Sequence, residues 1–352
     1  MCRRINGDKP SSFKWANLAS HNAGVTVAIV AISNHAGVMR RLFSIAEDGG
    51  VIVKDAANVN AYLVGGENVI VNKLFKPLSG LAEMSFGNKP VDGGNLLLST
   101  DELRELGLSG EQRRKFIKRI YGSAEFIRGL ERHVLWIENA DLEEARQICS
   151  LSERIDRVRD MRLASRDQSA NEMAKRPHQM REMNIGIKHT IAVPAISSEN
   201  RPFLPCGLLS NEQAVTNKIY ALYDAPLWNM ALIASRLHWV WIGTVCVRMR
   251  TDFSYSNTLG WNTFPVPKLT ERNKADLTAC AEDILLAREA HFPATIADLY
   301  DPETMPGDLR AAHDRNDETL ERIYIGRRFK NDTERLEKLF DMYTQMTTKV
   351  PA

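Results

Sequence analysis

The stretch Arg248-Met249-Arg250-Thr251-Asp252-Phe253-Ser254 carries the side chains of this sequence best suited to reading a flat polar edge. In an extended segment, alternation would project Arg248, Arg250, Asp252 and Ser254 to one side as a row of donors and acceptors. Arginine donates two parallel hydrogen bonds to guanine O6 and N7, and aspartate accepts from a cytosine amino group. An ion pair on a sheet surface explains the same residues, and by spacing alone it is the plainer reading. A second constellation is Arg113-Arg114-Lys115 with Lys118-Arg119, five cations in seven positions with no carboxylate among them. That composition suits phosphate contact, as it suits an ordinary basic surface loop. Arg154, Arg157, Arg162 and Arg166 are spaced to share one helix face. Because Glu153, Asp156, Asp160 and Asp167 interleave with them, a solvated, salt-bridged helix fits equally well.

Motifs of self-contained catalysis are missing. There is no phosphate-binding G-x-x-x-x-G-K-[ST] loop, no G-x-G-x-x-G, H-E-x-x-H or G-x-S-x-G, and no two prolines are adjacent. The histidines (His21, His35, His133, His178, His189, His238, His291 and His313) show no metal-ligand spacing. Cys2, Cys149, Cys206, Cys246 and Cys280 are scattered without a C-x-x-C pair, so neither a structural metal nor a disulfide framework is expected. Asp308, His313, Asp314 and Asp317 lie close enough in sequence to suggest a hydrolase, although Pro306-Gly307-Asp308 reads more simply as a turn that opens a helix.

The elements that would position these residues follow from composition and period. A chain of 352 residues, 44% hydrophobic and 26% charged, can build two or three cores. Its best apolar run, Ala23 to Ser33, is too short to span a bilayer, and no apolar h-region follows the basic start, so a cytoplasmic, non-membrane protein is expected. The net charge of +2 conceals an asymmetry: residues 273–352 hold 11 Lys/Arg against 16 Asp/Glu, which leaves +7 on the first 272. A basic body of this size fits a phosphate-backbone partner without requiring one. Strands are predicted around Val25 to Ile32, Val51 to Val53, Asn68 to Val71, Gly93 to Leu98 and Ile191 to Pro194. Ser99 caps a helix that contains Glu102, Leu142 to Ala174 reads as one long helix, and helices cover Leu277 to Ala290 and Thr319 to Met346. The fold class is α+β, a mixed β-rich region with inserted helices followed by an all-α tail that begins after Pro267.

Several segments carry a family resemblance. They are Phe13-Lys14-Trp15 through Val25-Thr26-Val27; Asn58 to Leu63; Phe86-Gly87-Asn88-Lys89-Pro90-Val91-Asp92-Gly93-Gly94; Gly122 to Ile127; Tyr255-Ser256-Asn257 to Pro265; and Leu299-Tyr300-Asp301-Pro302 through Asn316-Asp317. Taken in order they resemble, over nearly the whole chain, the C-terminal part of type IIL restriction–modification enzymes of the Mme kind and their adenine-N6 methyltransferase relatives. The resemblance implies three parts: residues 1–35 as the end of a methyltransferase core, 36–267 as a DNA target-recognition domain, and 268–352 as a helical C-terminal domain. It implies double-stranded DNA as partner, with Arg250 and Asp252 as a pair reading one base pair on both strands. Thr251, Ser254, Asn217 and Lys218 are its further base contacts, while Arg113, Arg114, Lys115, Lys118, Arg119 and Arg248 would meet the backbone. Family members also hold S-adenosylmethionine and an Asn/Asp-Pro-Pro-aromatic motif that engages a flipped adenine. This sequence has neither that motif nor the glycine-rich loop, so no cofactor and no unaided methyl transfer are expected, and a separate methyltransferase core or nuclease would have to supply the chemistry. The alternative is a non-functional remnant of such an enzyme.

Overall fold

The structure, a computed structural model, describes residues 13–15, 25–27, 40–45, 51–249 and 252–348. Five small sheets and twelve α-helices occur among them. Phe13–Trp15 pairs antiparallel with Val25–Val27, and Arg40–Ile45 with Val51–Ala56; the rest of the strand predicted at 25–32 lies outside the described residues.

Two four-stranded sheets form the body. In one, Ile117–Tyr121 lies between the parallel strand Gln213–Val215 and the antiparallel strand His133–Leu135, with Leu97–Leu98 beyond. Its core takes in Leu96, Leu98, Phe116, Ile120 and Leu135, covered by helix Cys149–Leu163 through Leu151, Ile155 and Val158. In the other, His189–Pro194 lies between Gly207–Ser210 and Ile219–Tyr223. Ile191 and Ala192 are both fully buried, as a strand covered on both faces requires. Its core continues without a break through helices Trp228–Ile233 and Arg236–Val245 into the tail helices Glu271–Glu289, Gly307–Ile325 and Asp332–Thr348. The tail therefore has no core of its own: Leu277, Leu320 and Phe340 pack with Met230, Trp241 and Phe264.

Four predicted elements differ. Of the strand expected over Gly93 to Leu98 only Leu97–Leu98 forms, because Gly93 (φ 57°) and Gly94 (φ 83°) turn the chain before it. Asn68 to Val71 is irregular, because the Val71 N–H donates to the Tyr62 hydroxyl (2.9 Å) and the segment joins no sheet. The long helix predicted over Leu142 to Ala174 is three, Leu142–Arg146, Cys149–Leu163 and Gln168–Met173. The second break is held by Asn171, whose amide donates to the carbonyls of Arg162, Leu163 and Ser165. The predicted helix over 319–346 is split at Gly326, whose left-handed φ of 76° closes the preceding helix.

Arg162 explains why that middle helix is no phosphate-binding face. Its guanidinium is fully buried. All five N–H groups donate to backbone carbonyls: Nε to Val91 (2.8 Å), one terminal nitrogen to Met173 and Arg176 (both 2.9 Å), the other to Pro90 (3.1 Å) and Gln179 (2.7 Å). Burial lowers its pKa to about 10. Val91 itself sits at φ 47°, a left-handed conformation costly for a β-branched residue, and the Arg162 contact helps hold it there. Arg154 also turns inward, to Glu102 (2.8 Å) and the Asn95 carbonyl (3.2 Å). Arg162→Met should destabilise the chain by ~3 kcal/mol in chemical denaturation, because five carbonyls, all at least partly buried, lose their donors at once.

The cluster Asp308, His313, Asp314 and Asp317 is dispersed. Asp308 pairs with His291 at the surface (2.8 Å), and buried His313 hydrogen-bonds the Tyr300 hydroxyl (2.7 Å). Asp317 accepts the Arg236 N–H (2.6 Å) at the start of helix Arg236–Val245. Burial raises the Asp317 pKa from 3.8 to about 7, against the pull of that N–H and of Arg335. The folded chain therefore holds a proton that the unfolded chain has released, and this group costs stability as pH climbs from about 4 to 7. Asp317→Asn keeps the acceptor and removes the titration, so its stability relative to the parent should rise by up to a few kcal/mol across that window in paired melts.

Candidate nucleic-acid interface

The segment 248–254 is a hairpin, not one strand. Arg248–Met249 runs antiparallel to Asp252–Ser254, with Arg248 opposite Phe253 and Met249 opposite Asp252. Arg250 and Thr251, the two residues between these strands, lie outside the described residues. The expected single row is corrected by this reversal: residues opposite one another share a face, so Arg248 falls on the face of Phe253, away from Asp252 and Ser254. Phe253 is buried against Trp239, with ring centroids 4.2 Å apart, and the Arg248 guanidinium lies over the same ring at 4.6 Å. Asp252 and Ser254, half-exposed, flank it on the other face.

The same strand meets Ile196–Ser197, with Ile196 opposite Ser254 and Ser197 opposite Phe253. One residue earlier, Ala195 joins the two predicted base-reading segments. Its N–H donates to the Lys218 carbonyl (3.0 Å), and its carbonyl accepts the N–H of Tyr255, which follows Ser254 (2.9 Å). Asn217 and Lys218 form the turn between Gln213–Val215 and Ile219–Tyr223. Asn88 braces that turn: its carbonyl accepts the Asn217 N–H (2.9 Å) and its amide donates to the Val215 carbonyl (3.0 Å). A Cβ on neighbouring Gly87 would meet the Thr216 carbonyl oxygen at 2.4 Å, which explains the glycine there. Lys218 is exposed, and half-buried Asn217 lines a cavity of about 400 Å³ with Lys89, Asp92, Asp167 and Arg181. Both carboxylates of that cavity are occupied by backbone, Asp92 by the N–H groups of Leu96 and Leu97, Asp167 by that of Ser169.

The five-cation cluster is thinned by the fold. Lys115 meets Glu144 (2.6 Å) and Asp141 (3.0 Å), and hydrogen bonds to them, Glu144 foremost, hold its pKa up. Lys118 lies 3.7 Å from Glu212, and Arg119 stacks on Tyr121 at 5.0 Å. Arg113 and Arg114 are exposed on helix Gly110–Phe116 and make no ion pair with a described residue. They stand at one end of strand Ile117–Tyr121, whose other end receives the Thr216 N–H on the Tyr121 carbonyl (2.8 Å). A five-residue strand thus places these cations roughly 15 Å from the Asn217 turn. Sequence reasoning did not single out Ala195 or Asn88 as site residues, since apolar and amide residues of this kind gain meaning only from what lies beside them.

Beneath the hairpin the surroundings are aromatic. Tyr255 hydrogen-bonds His238 (2.9 Å), whose pKa burial lowers to about 3, so a neutral imidazole sits among Tyr255, Trp261 and Phe264. At the strand-to-helix turn of Gly122, the Glu125 carboxylate accepts the backbone N–H (2.9 Å). No group of three His, Cys, Asp or Glu side chains among the described residues could hold a metal ion, and no described helix is long and apolar enough to cross a membrane.

The hairpin is thus braced by aromatic side chains, Phe253 by Trp239 and Tyr255 by His238. The chain belongs to the MmeI family, matching the MmeI target recognition domain over residues 65–268 and the MmeI C-terminal domain over residues 269–351. It is 36% identical to DNA methyltransferase A of Bacillus subtilis (strain 168) over 96% of its own length, and spans 38% of that relative. It also superposes on the type IIL restriction-modification enzyme MmeI in complex with DNA, with a TM-score of 0.82 and 29% identity, over 98% of this chain and 46% of that one.

Helix Arg236–Val245 leaves a slot for the hairpin at Gly243, where an added Cβ would meet the Phe253 ring at 2.8 Å. Gly243→Ala should therefore fail to give the ~1 kcal/mol gain usual in a helix and instead lower the melting temperature, since overpacking costs ~1–3 kcal/mol.

Proposed function

We propose that this chain is the sequence-reading module of an adenine-methylating restriction–modification enzyme, with duplex DNA as its ligand. The observation that carries the reading is the convergence on Ala195: the Asn217-Lys218 turn hangs on its N–H and the hairpin strand on its carbonyl. Arg250 and Asp252 read one base pair from both strands, Ser254, Thr251, Asn217 and Lys218 contact neighbouring bases, and Arg113 and Arg114 meet phosphates to one side. The DNA-bound relative supports a duplex partner. Residues 1–35 close a methyltransferase core, 36–267 read DNA, and 268–352 brace the reader. S-adenosylmethionine and methyl transfer belong to that core, supplied in cis or in trans, a reading supported by the absence of any Pro-Pro pair in this sequence. The compartment is the cytoplasm, where the DNA is.

Selection from a randomised duplex library at two salt concentrations tests the proposal. The parent chain should enrich one sequence, Arg250→Lys should keep it, and the double exchange Arg250→Glu with Asp252→Arg should change the preferred base pair by roughly ten- to a hundredfold. An unchanged preference after the exchange would refute the assignment. Arg113→Ala with Arg114→Ala should weaken binding to all sequences alike and reduce the salt slope by about two.

A further inference from the structure

Resting on that reading, we infer that Glu199 is a positioning residue for the base-reading hairpin and that Arg248 serves as its internal counter-ion, not as a contact to DNA. Glu199 is 5% exposed in a molecule where carboxylates are normally solvated. The Arg248 guanidinium approaches it at 3.4 Å while lying flat over Phe253 at 4.6 Å. Phe253 in turn fills the Gly243 slot beside Trp239. Helix, ring, guanidinium and carboxylate thus form one stack that fixes the strand from which Asp252 projects on the opposite face.

The segment that carries Glu199 grips the hairpin along its length. Ser197 is the strand partner of Phe253, and Arg201, which hydrogen-bonds Ser197 Oγ at 3.3 Å, lies in the field of Asp252. Geometry assigns Arg248 to the interior. A swing towards a phosphate would break its contact with Glu199 and lift the guanidinium off the buried Phe253 ring, whereas an exposed ion contact returns little. The arginine therefore stays, and its contribution to specificity passes through Phe253 and Asp252.

The two roles leave different traces in DNA binding. With the full chain, the parent and the variants Glu199→Gln, Arg248→Met and Arg248→Lys are taken through selection on the randomised duplex library, with thermal melts to establish folding. A positioning pair predicts that Glu199→Gln and Arg248→Met each relax discrimination at the same base pair by about tenfold, that the double variant is no worse than either single one, and that Arg248→Lys recovers part of the preference. The salt slope on random duplex should stay that of the parent. If Arg248→Met instead lowers the slope by about one and weakens every sequence equally while Glu199→Gln does not, Arg248 is a phosphate contact and the inference is overturned. Unaltered discrimination in both folded variants overturns it too. A variant that does not fold is replaced in the cycle by Arg248→Lys with Glu199→Asp, where a positioning pair predicts the same base pair relaxed to a smaller degree, and full retention overturns it. A parent chain that selects no sequence would remove the proposed function itself, a result distinguishable from either outcome among the variants.

Discussion

A buried guanidinium held by backbone carbonyls, with no ion pair to a described residue, sets the frame for the Asn217-Lys218 turn. Arg162 satisfies all five of its donors with carbonyls from Pro90 to Gln179, and so ties helix Cys149–Leu163 to two irregular segments that no sheet would otherwise hold. One of those segments begins at Asn88, which braces the Asn217-Lys218 turn. Carbonyl dipoles can neutralise an arginine without forming a charge pair, and the delocalised, weakly hydrated guanidinium is the cation that tolerates such a site. Lysine, with three donors, could not reach five acceptors.

The second dependence runs through the tail. Asp317 and Asp332, on helices that follow Pro267, meet the N–H and the guanidinium of Arg236 at the start of the helix that carries Gly243 and Trp239. The acidic character of residues 273–352 is thus partly internal, directed at the reader's own helix and less at solvent. Composition reported a charge asymmetry, and the packing shows where some of it is used.

Local chemistry was well written in the sequence. Ser99 is the expected N-cap, to which the structure adds a capping box with Glu102, Val51 and Ile191 lie in strands, and the change of pattern at Pro267 does precede four helices. What could not be read is whatever depends on chain reversal or on distant partners. Alternation assumes a continuous strand, and the antiparallel pairing of Met249 with Asp252 reverses the parity that would have aligned Arg248 with Asp252. Counting carboxylates within residues 113–119 finds none, yet Asp141, Glu144 and Glu212 arrive from elsewhere to neutralise Lys115 and Lys118. The helical period likewise cannot tell an arginine facing solvent from one whose donors are all consumed inside.

The hairpin divides its residues by task. Phe253 is committed to the interior and Arg248 to the Glu199 stack, whereas Asp252 and Ser254 bear no packing duty of that kind. A scaffold so partitioned is evolvable: substitutions on the free face meet solvent or ligand and leave the fastening untouched. Diversification of specificity would then proceed by point changes at a few positions, with the fold and its stability inherited intact.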